Sequence, residues 1–262
     1  MNKVKWPALL TGTITPNRQA ISKFNDPLAR KKQYIETLTW MAKSRTNIDR
    51  VLFCENSNSS LTDFEHLYRL YEKTDRSIEI YSVPMPEFKC FFGKGWGEGL
   101  IILWALQNVL LRNSCNGFIK ITGRYRILNL RRIITIIQRG LSKNPHLKFI
   151  GHTFTIRERL HIRSDFFWSD RDFYMKYLSD VYNDVNDEQG DYLEHALAKR
   201  LWQLRNQFDI GILSTPLLIQ GISGWNAKKM ISARHYVKEE IKQALSPLPP
   251  LKILNDLSKM LS

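Results

Sequence analysis

The chain has 262 residues, is 43% hydrophobic and 11% aromatic, and carries a formal net charge of +14. This length and composition suit one large α/β domain or two small ones, and they exclude a disordered or fibrous chain. No apolar run reaches the ~18–20 residues of a membrane-spanning helix, and the first apolar run breaks at Thr11, too early for a good signal peptide. Three cysteines without a CxxC pair predict neither disulfides nor zinc, so we expect a cytoplasmic protein.

Strands and helices are predicted to alternate from the first residues onward. Buried apolar runs predict strands at 6–14, 50–54, 78–83, 118–121, 147–154, 166–168 and 210–213. Helical spacing of apolar residues predicts helices at 27–43, 61–73, 97–112, 130–141, 171–182, 191–205 and 227–245. This alternation is typical of a doubly wound α/β fold, a mixed sheet covered by helices on both faces.

A proline-rich segment, SPLPP at 246–250, separates a catalytic domain over 1–245 from a short tail over 246–262. Leucines recur in the tail at 251, 254, 257 and 261, which predicts an amphipathic helix of about three turns. Such a helix is too short to be stable alone in water. It would lie either on the protein's own core or on an anionic membrane surface, and both alternatives stay open.

The positive charge is concentrated in the middle of the chain. Residues 112–163 contain twelve Lys and Arg and a single acid, Glu158, whereas residues 164–209 contain ten acids and five bases. The basic segment predicts an anionic partner, namely a nucleic acid, a nucleotide diphosphate or an acidic membrane surface. The alternative is a solvated basic face without a partner.

Ligands of doubly wound sheets bind beyond the carboxyl ends of the strands, so the residues that follow the predicted strands are the binding candidates. The GKGWGEG turn brings glycines, Lys94 and the start of a helix to this edge, an arrangement that favours phosphate unless the turn only begins the helix. Arg124 offers a planar cation suited to bidentate phosphate contact. The candidates at strand ends are Thr11, Gly12, Thr13, Glu55, Asn56, Lys94, Gly95, Gly97, Glu98, Lys120, Thr122, Gly123, Arg124 and Tyr125, joined by Ser223 in a late loop expected to close over the site.

Three carboxylates are candidates for a general base that activates a hydroxyl. Glu194 is the first choice because it lies inside the predicted helix DYLEHAL, where helix capping is a less natural role. Asp165 and Asp191 are the other two, although Asp191 also suits a helix cap. Trp168, Trp225 and Tyr125 are candidates for stacking on sugar rings, with a place in the core as the alternative for each.

The ordered motifs FGKGWGEG, KITGRY, SDFFWSDRDFY, DYLEHAL and QGISGWN resemble small bacterial glycosyltransferases of lipopolysaccharide, O-antigen and capsule gene clusters, and the resemblance spans roughly residues 6–235. The resemblance implies a GT-A-like fold, a nucleotide-sugar donor and a saccharide or lipid-linked acceptor. Typical GT-A enzymes carry Asp-x-Asp after the fourth strand to hold a divalent metal, but this chain reads Thr122-Gly123-Arg124 there. We therefore expect no metal ligands and no cofactor, with Lys94, Lys120 and Arg124 neutralising the donor diphosphate instead.

These observations predict a nucleotide-sugar-dependent glycosyltransferase of surface polysaccharide synthesis. We expect a cytoplasmic protein, with peripheral contact to the cytoplasmic face of the membrane as an open alternative. In this reading the pocket binds a nucleotide sugar and no nucleic acid. The rival is a basic nucleic-acid-binding protein, nuclease or nucleotidyltransferase. The acidic segment at 164–209 would repel a polyanion and speaks against that rival.

Overall fold

A computed structural model describes residues 5–16, 24–86, 93–111, 116–156, 159–222 and 252–253. They form an eight-stranded mixed sheet and a separate two-stranded sheet. Helices cover both faces of the large sheet, so the predicted fold class, a doubly wound α/β protein, is confirmed. Within this described part, no helix is both long and apolar enough to cross a membrane.

The large sheet has the strand order β10-β8-β6-β7-β4-β1-β2-β3. Strands β3, β2, β1 and β4 run parallel, so their carboxyl ends meet at one edge. Strand β7 lies antiparallel between β4 and β6, while β5 and β9 form the small sheet. The strands are β1 (Ala8–Gly12), β2 (Arg50–Glu55), β3 (Ser77–Ser82), β4 (Gly117–Thr122), β5 (Arg126–Ile127), β6 (Leu147–Ile156), β7 (Arg159–Asp170), β8 (Asp209–Ile212), β9 (Ile219–Gln220) and β10 (Lys252–Ile253).

Two buried apolar clusters hold the helices to the sheet. One cluster joins the first, second and fourth helices to one face, and the other joins the third, fifth and sixth helices to the opposite face. The third and fifth helices continue as π-helical turns at Leu106–Leu110 and Tyr174–Leu178. The α-helices are α1 (Pro27–Lys43), α2 (Glu65–Tyr71), α3 (Lys94–Ala105), α4 (Leu130–Lys143), α5 (Arg171–Phe173) and α6 (Leu193–Leu204), with 3-10 turns at Thr62–Phe64 and Val181–Asp184.

Local sequence explains the best-predicted elements. Helix α1 begins where expected because the Asp26 carboxylate accepts a hydrogen bond from the Leu28 N–H at 3.0 Å and Pro27 occupies the first turn. Strands β1 and β4 are buried along their whole length, as expected for parallel strands covered on both faces.

Strand β7 and the start of the tail differ from the predictions. Strand β7 has twelve residues where three were expected. It forms a long antiparallel pair with β6, and the first half of β7 is rich in polar residues, so no apolar run indicated a strand there. The helix expected in the tail is wrong at Lys252 and Ile253, which pair as a strand with Ile212 and Gly211 of β8. The other tail residues and the helix predicted at 227–245 lie outside the described residues, and the division of the chain near 246 remains a prediction.

Candidate functional site

A cavity of about 310 Å³ opens at the carboxyl ends of β1, β2 and β3, the edge at which a ligand was expected. Loops after all three strands and the start of α3 contribute to its wall. Four of the predicted binding residues line it, namely Thr13, Asn56, Lys94 and Gly97. The remaining lining residues are Thr15, Pro16, Arg30, Ser57, Asn58, Met85, Pro86, Gly93 and Trp96.

Hydrogen bonds tie the first two loops to each other and to α3. The Thr13 hydroxyl donates to Asn56 Oδ1 at 2.7 Å, and Asn56 Nδ2 donates to the Gly97 carbonyl at 3.4 Å. Glu55 is fully buried, and its Oε1 accepts hydrogen bonds from the N–H groups of Ile14 and Ser57, both at 2.8 Å. Glu55 therefore holds the two loops together from inside the protein, and this arrangement does not favour the ligand contact predicted for Glu55.

The cavity has a cationic wall. Arg30 and Lys94 both line it, and none of its described lining residues is acidic. Arg30 donates from Nε to the Thr13 carbonyl at 2.7 Å, which fixes the guanidinium beside the first loop. Desolvation opposes the charge of the Lys94 ammonium, but the charges of Glu98, Tyr125 and Glu194 outweigh it and raise the pKa of Lys94. The cavity therefore attracts anions.

The first turn of α3 was predicted to hold phosphate, and the structure corrects this. The Asp187 carboxylate already accepts hydrogen bonds there, from the Lys94 N–H at 2.7 Å and the Gly95 N–H at 3.5 Å. Gly93 precedes the helix with φ +99°, and a side chain at Gly93 would collide with Asp187. The glycine turn thus receives an internal carboxylate at the helix N-terminus, which is the ordinary stabilising arrangement there.

A buried polar network lies beneath the cavity and corrects further assignments. Lys120 is 0% exposed, and its ammonium contacts the Glu98 carboxylate, the Thr122 hydroxyl and the Ser164 carbonyl. With all three N–H groups engaged, Lys120 cannot reach a diphosphate in this arrangement. Glu98 is 7% exposed and also accepts from the hydroxyls of Thr11 at 2.9 Å and Thr122 at 3.3 Å, so its carboxylate is engaged inside the protein. The residues that line the cavity do not include these three, which corrects their predicted role as binding residues.

Arg124 and Tyr125 are almost fully buried. Arg124 donates to the Ile222 carbonyl at 2.9 Å and its guanidinium lies 5.7 Å from the centre of the Tyr125 ring. Gly221 also lies against Tyr125, so the KITGRY and QGISGWN motifs meet in space. Arg124 therefore holds the chain at 222, and a direct phosphate contact would need this segment to move. Ser223 and Trp225 lie outside the described residues.

Two predicted glycines and one aromatic residue belong to the core. Gly12 and Gly123 both lie beside the ring of Tyr34, and the Gly123 N–H donates to the Thr11 carbonyl at 2.9 Å. Trp168 is buried and stacks edge-on against Trp6 with ring centres 5.7 Å apart. The core alternative therefore holds for Trp168, which is not placed to stack on a sugar.

The three candidate carboxylates have different partners. Glu194 is half-buried at the start of α6, where Oε1 accepts a hydrogen bond from the Ser164 hydroxyl at 2.5 Å. Asp165 forms a two-pronged ion pair with Arg163, and this hydrogen bonding is the main reason that the pKa of Arg163 is raised. Asp191 lies 3.3 Å from His195 Nδ1. Of the three, Glu194 is the one whose charge contributes to the raised pKa of Lys94, a residue of the cavity wall.

Among the described residues, no group of three His, Cys, Asp or Glu side chains is placed to hold a metal ion. Metal independence remains a prediction that activity measurements have to test.

Sequence reasoning missed Asp187, Arg30 and Ser164. Asp187 was counted only as part of the acidic segment, because its partner amides lie more than ninety positions away. Arg30 lies one turn after Asp26, the predicted cap of α1. Because α1 follows β1 in the chain, this position could have indicated that the Arg30 side chain lies near the end of β1.

No protein-family model and no curated protein sequence matches this chain significantly. Solved structures are similar in fold. A protein described as a nucleotide-diphospho-sugar transferase from Desulfovibrio desulfuricans is 9% identical, with 79% of each chain covered and a TM-score of 0.44. The apo-form glycosyltransferase GlyE of Streptococcus pneumoniae is 6% identical with a TM-score of 0.48, over 79% of this chain and 45% of GlyE.

A CMP:2-keto-3-deoxy-manno-octonic acid synthetase solved with CTP is 11% identical, covering 92% of this chain and 100% of the synthetase with a TM-score of 0.44. At these identities and TM-scores the similarities carry no argument about activity. The residues of the cavity have to supply that argument.

Proposed function

We propose that this chain is a glycosyltransferase that moves a sugar from a nucleotide-sugar donor to an acceptor hydroxyl. The observation that carries the proposal is the cavity at the carboxyl ends of β1, β2 and β3, which Lys94 lines and which has no acidic residue in its described lining. Lys94 is the cation proposed for a leaving diphosphate, and Glu194, whose charge helps to raise the pKa of Lys94, is the base proposed for an acceptor.

In the proposed reaction the donor nucleoside occupies the cavity between the loops that carry Thr13 and Asn56. The diphosphate lies toward Lys94, whose charge stabilises the negative charge that develops as the bond from the sugar to the diphosphate breaks. Arg30 is 4% exposed and donates to the Thr13 and Phe24 carbonyls, so it adds its charge from within the wall. The acceptor oxygen forms the new bond to the sugar carbon, and its proton passes to Glu194. The family resemblance extends the proposal in three ways: the acceptor is a saccharide or a lipid-linked saccharide, the reaction belongs to surface polysaccharide synthesis, and the protein contacts an anionic membrane peripherally.

The experiment is a thermal-shift screen of nucleoside diphosphates, nucleoside triphosphates and nucleotide sugars, each with EDTA and with added manganese. A ligand that binds only the folded state raises Tm according to its concentration relative to Kd, so a specific nucleoside diphosphate should stand out. The screen is followed by measurement of nucleoside diphosphate release from the matching nucleotide sugar. Lys94→Ala should lose the shift, while Lys143→Ala, an exposed lysine on α4, should keep it.

The same measurements distinguish the alternative functions, a nucleotidyltransferase and a nucleic-acid-binding protein. Release of pyrophosphate from a nucleoside triphosphate and a sugar phosphate would identify a nucleotidyltransferase instead. Salt-dependent binding to random DNA, without any response to nucleotides, would identify a nucleic-acid-binding protein. Activity that is lost in EDTA and restored by manganese would contradict the expected metal independence.

A further inference from the structure

The hydroxyl of Ser164 lies between two carboxylates. It donates to Glu194 Oε1 at 2.5 Å, and Glu98 Oε2 lies 3.5 Å from the same oxygen atom. A serine hydroxyl has one proton and donates it to one acceptor at a time. The shorter contact selects Glu194, and Glu98 closes the other side of the hydroxyl.

Ser164 is itself held by the buried ion pair. Its carbonyl accepts a hydrogen bond from the Lys120 ammonium, which is also paired with Glu98. Lys120, Glu98 and the backbone of β7 are all buried at this point, so the serine is fixed from both its main chain and its side chain. A buried polar network with its hydrogen bonds satisfied is rigid.

The charges around Glu194 do not fix its orientation by themselves. Lys94 on α3 and Arg163 on β7 both interact with its carboxylate, and Asp187 adds a repulsive interaction. Coulomb attraction depends on distance alone, whereas a hydrogen bond also has a required direction. The bond from Ser164 engages one particular oxygen of Glu194, Oε1, and does not engage Oε2.

We infer that Ser164 is a positioning residue that holds Oε1 of Glu194 and thereby aims Oε2 at the acceptor hydroxyl. The inference rests on the proposed function and assigns Ser164 no contact with substrate. Ser164 gains and loses no proton in the reaction, since the acceptor's proton passes to Glu194 alone.

The test compares Ser164→Ala and Ser164→Cys with Ser164→Thr, which keeps a hydroxyl. The matched control is Ser169→Ala on the same strand, because Ser169 is fully buried and its hydroxyl bonds backbone carbonyls only, those of Asp170 at 3.0 Å and Lys148 at 3.3 Å. The first two variants should lower kcat by about tenfold to hundredfold, the equivalent of one hydrogen bond to a charged group, with the donor KM unchanged. Ser164→Thr should recover most of kcat.

A kcat for Ser164→Ala equal to that of Ser169→Ala would overturn the inference, as would a KM that rises as much as kcat falls. Should Ser164→Ala fail to fold, the Cys variant gives the same comparison. A double-mutant cycle on stability, with Ser164→Ala and Glu194→Gln, tests the contact without any substrate. If the effects of the two substitutions on stability simply add, the inference is overturned. If the effects are coupled but the protein transfers no sugar, the contact between Ser164 and Glu194 stands and only the proposed function is refuted.

Discussion

Lys120 and Glu98 form an ion pair beneath the cavity, with side-chain exposures of 0% and 7%. Lys120 comes from the central strand β4 and Glu98 from the first half of α3, so the pair joins the sheet to the helix that begins at the site. The two charges compensate each other, and the cavity above is left with Lys94 and Arg30 as its own cations.

Removal of one partner of this pair should lower the free energy of unfolding far more than removal of both partners. Glu98→Gln leaves the Lys120 ammonium buried without a counter-charge, and we expect a loss of about 3–5 kcal/mol in the free energy of unfolding. The double variant with Lys120→Met removes that buried charge and should be more stable than Glu98→Gln alone. Urea unfolding of the single and double variants measures both effects, and losses that simply add would contradict the pairing.

The same pair should make stability depend on pH in the acid range. Burial favours the neutral acid, but Lys120, Lys94 and hydrogen bonds outweigh it and lower the pKa of Glu98 from 4.5 to about 2. Because the folded state binds this proton more weakly than the unfolded chain, the stabilisation is complete above pH 4.5 and is lost as the pH falls toward 2. Unfolding measured from pH 6 down to pH 2 should show this loss in the wild type and in the exposed control Glu72→Gln, and Glu98→Gln should lack it.

Asp187 should stabilise the start of α3. Its carboxylate accepts from two backbone amides of the first turn, so Asp187→Ala should lower stability by about 1 kcal/mol, the usual value for a helix cap. Glu188→Ala is the control, because it removes the same charge from an exposed neighbour. Equal urea midpoints for the two variants would show that the contact with α3 has no stabilising effect.

Lys94 should contribute to binding rather than to folding. Its side chain is exposed on the cavity wall, so Lys94→Ala should lower Tm only slightly, through the lost attraction to Glu98, and weaken binding of a nucleoside diphosphate by about 1.5–3 kcal/mol. Titration calorimetry measures the affinity, with Lys143→Ala as the control for loss of one surface charge. Unchanged affinity in Lys94→Ala would remove this residue from the site.

Glu194 should be the catalytic base. Glu194→Gln should fold normally and lower kcat by ~10²–10⁴, because the amide cannot accept the acceptor's proton. Asp165→Asn should have a smaller effect, since Asp165 is already engaged by Arg163. A large loss in Asp165→Asn with a normal rate in Glu194→Gln would reverse the assignment, and normal rates in both would point to a different mechanism.

Local patterns predicted the fold well, because the burial of a strand and the cap of a helix depend on residues that are adjacent in the sequence. The bounds of α1, residues 27–43, follow from Asp26, Pro27 and the apolar spacing. The location of the cavity also followed, since the carboxyl ends of parallel strands share one edge of the sheet.

The chemical roles of individual charges were harder to predict. Lys120 follows an apolar residue in a strand that ends in a glycine, which is the pattern of a phosphate-binding turn. Its actual partner, Glu98, is 22 positions away, and only the packing of α3 on β4 brings the two together. Asp187 reaches the first turn of α3 across a still longer separation. Spacing along the chain cannot show which cation is neutralised inside the protein and which one is left for a ligand.

Strand β10 lies at the end of the large sheet, where Lys252 and Ile253 pair with Ile212 and Gly211. These two residues cover the outer backbone N–H and C=O groups of β8, which would otherwise form an open sheet edge. A shortened chain that stops before Lys252 would present that edge to other molecules, and an open edge invites strand pairing between chains. Self-association of such a truncated protein would therefore reflect an uncovered strand, even if its site residues remained intact.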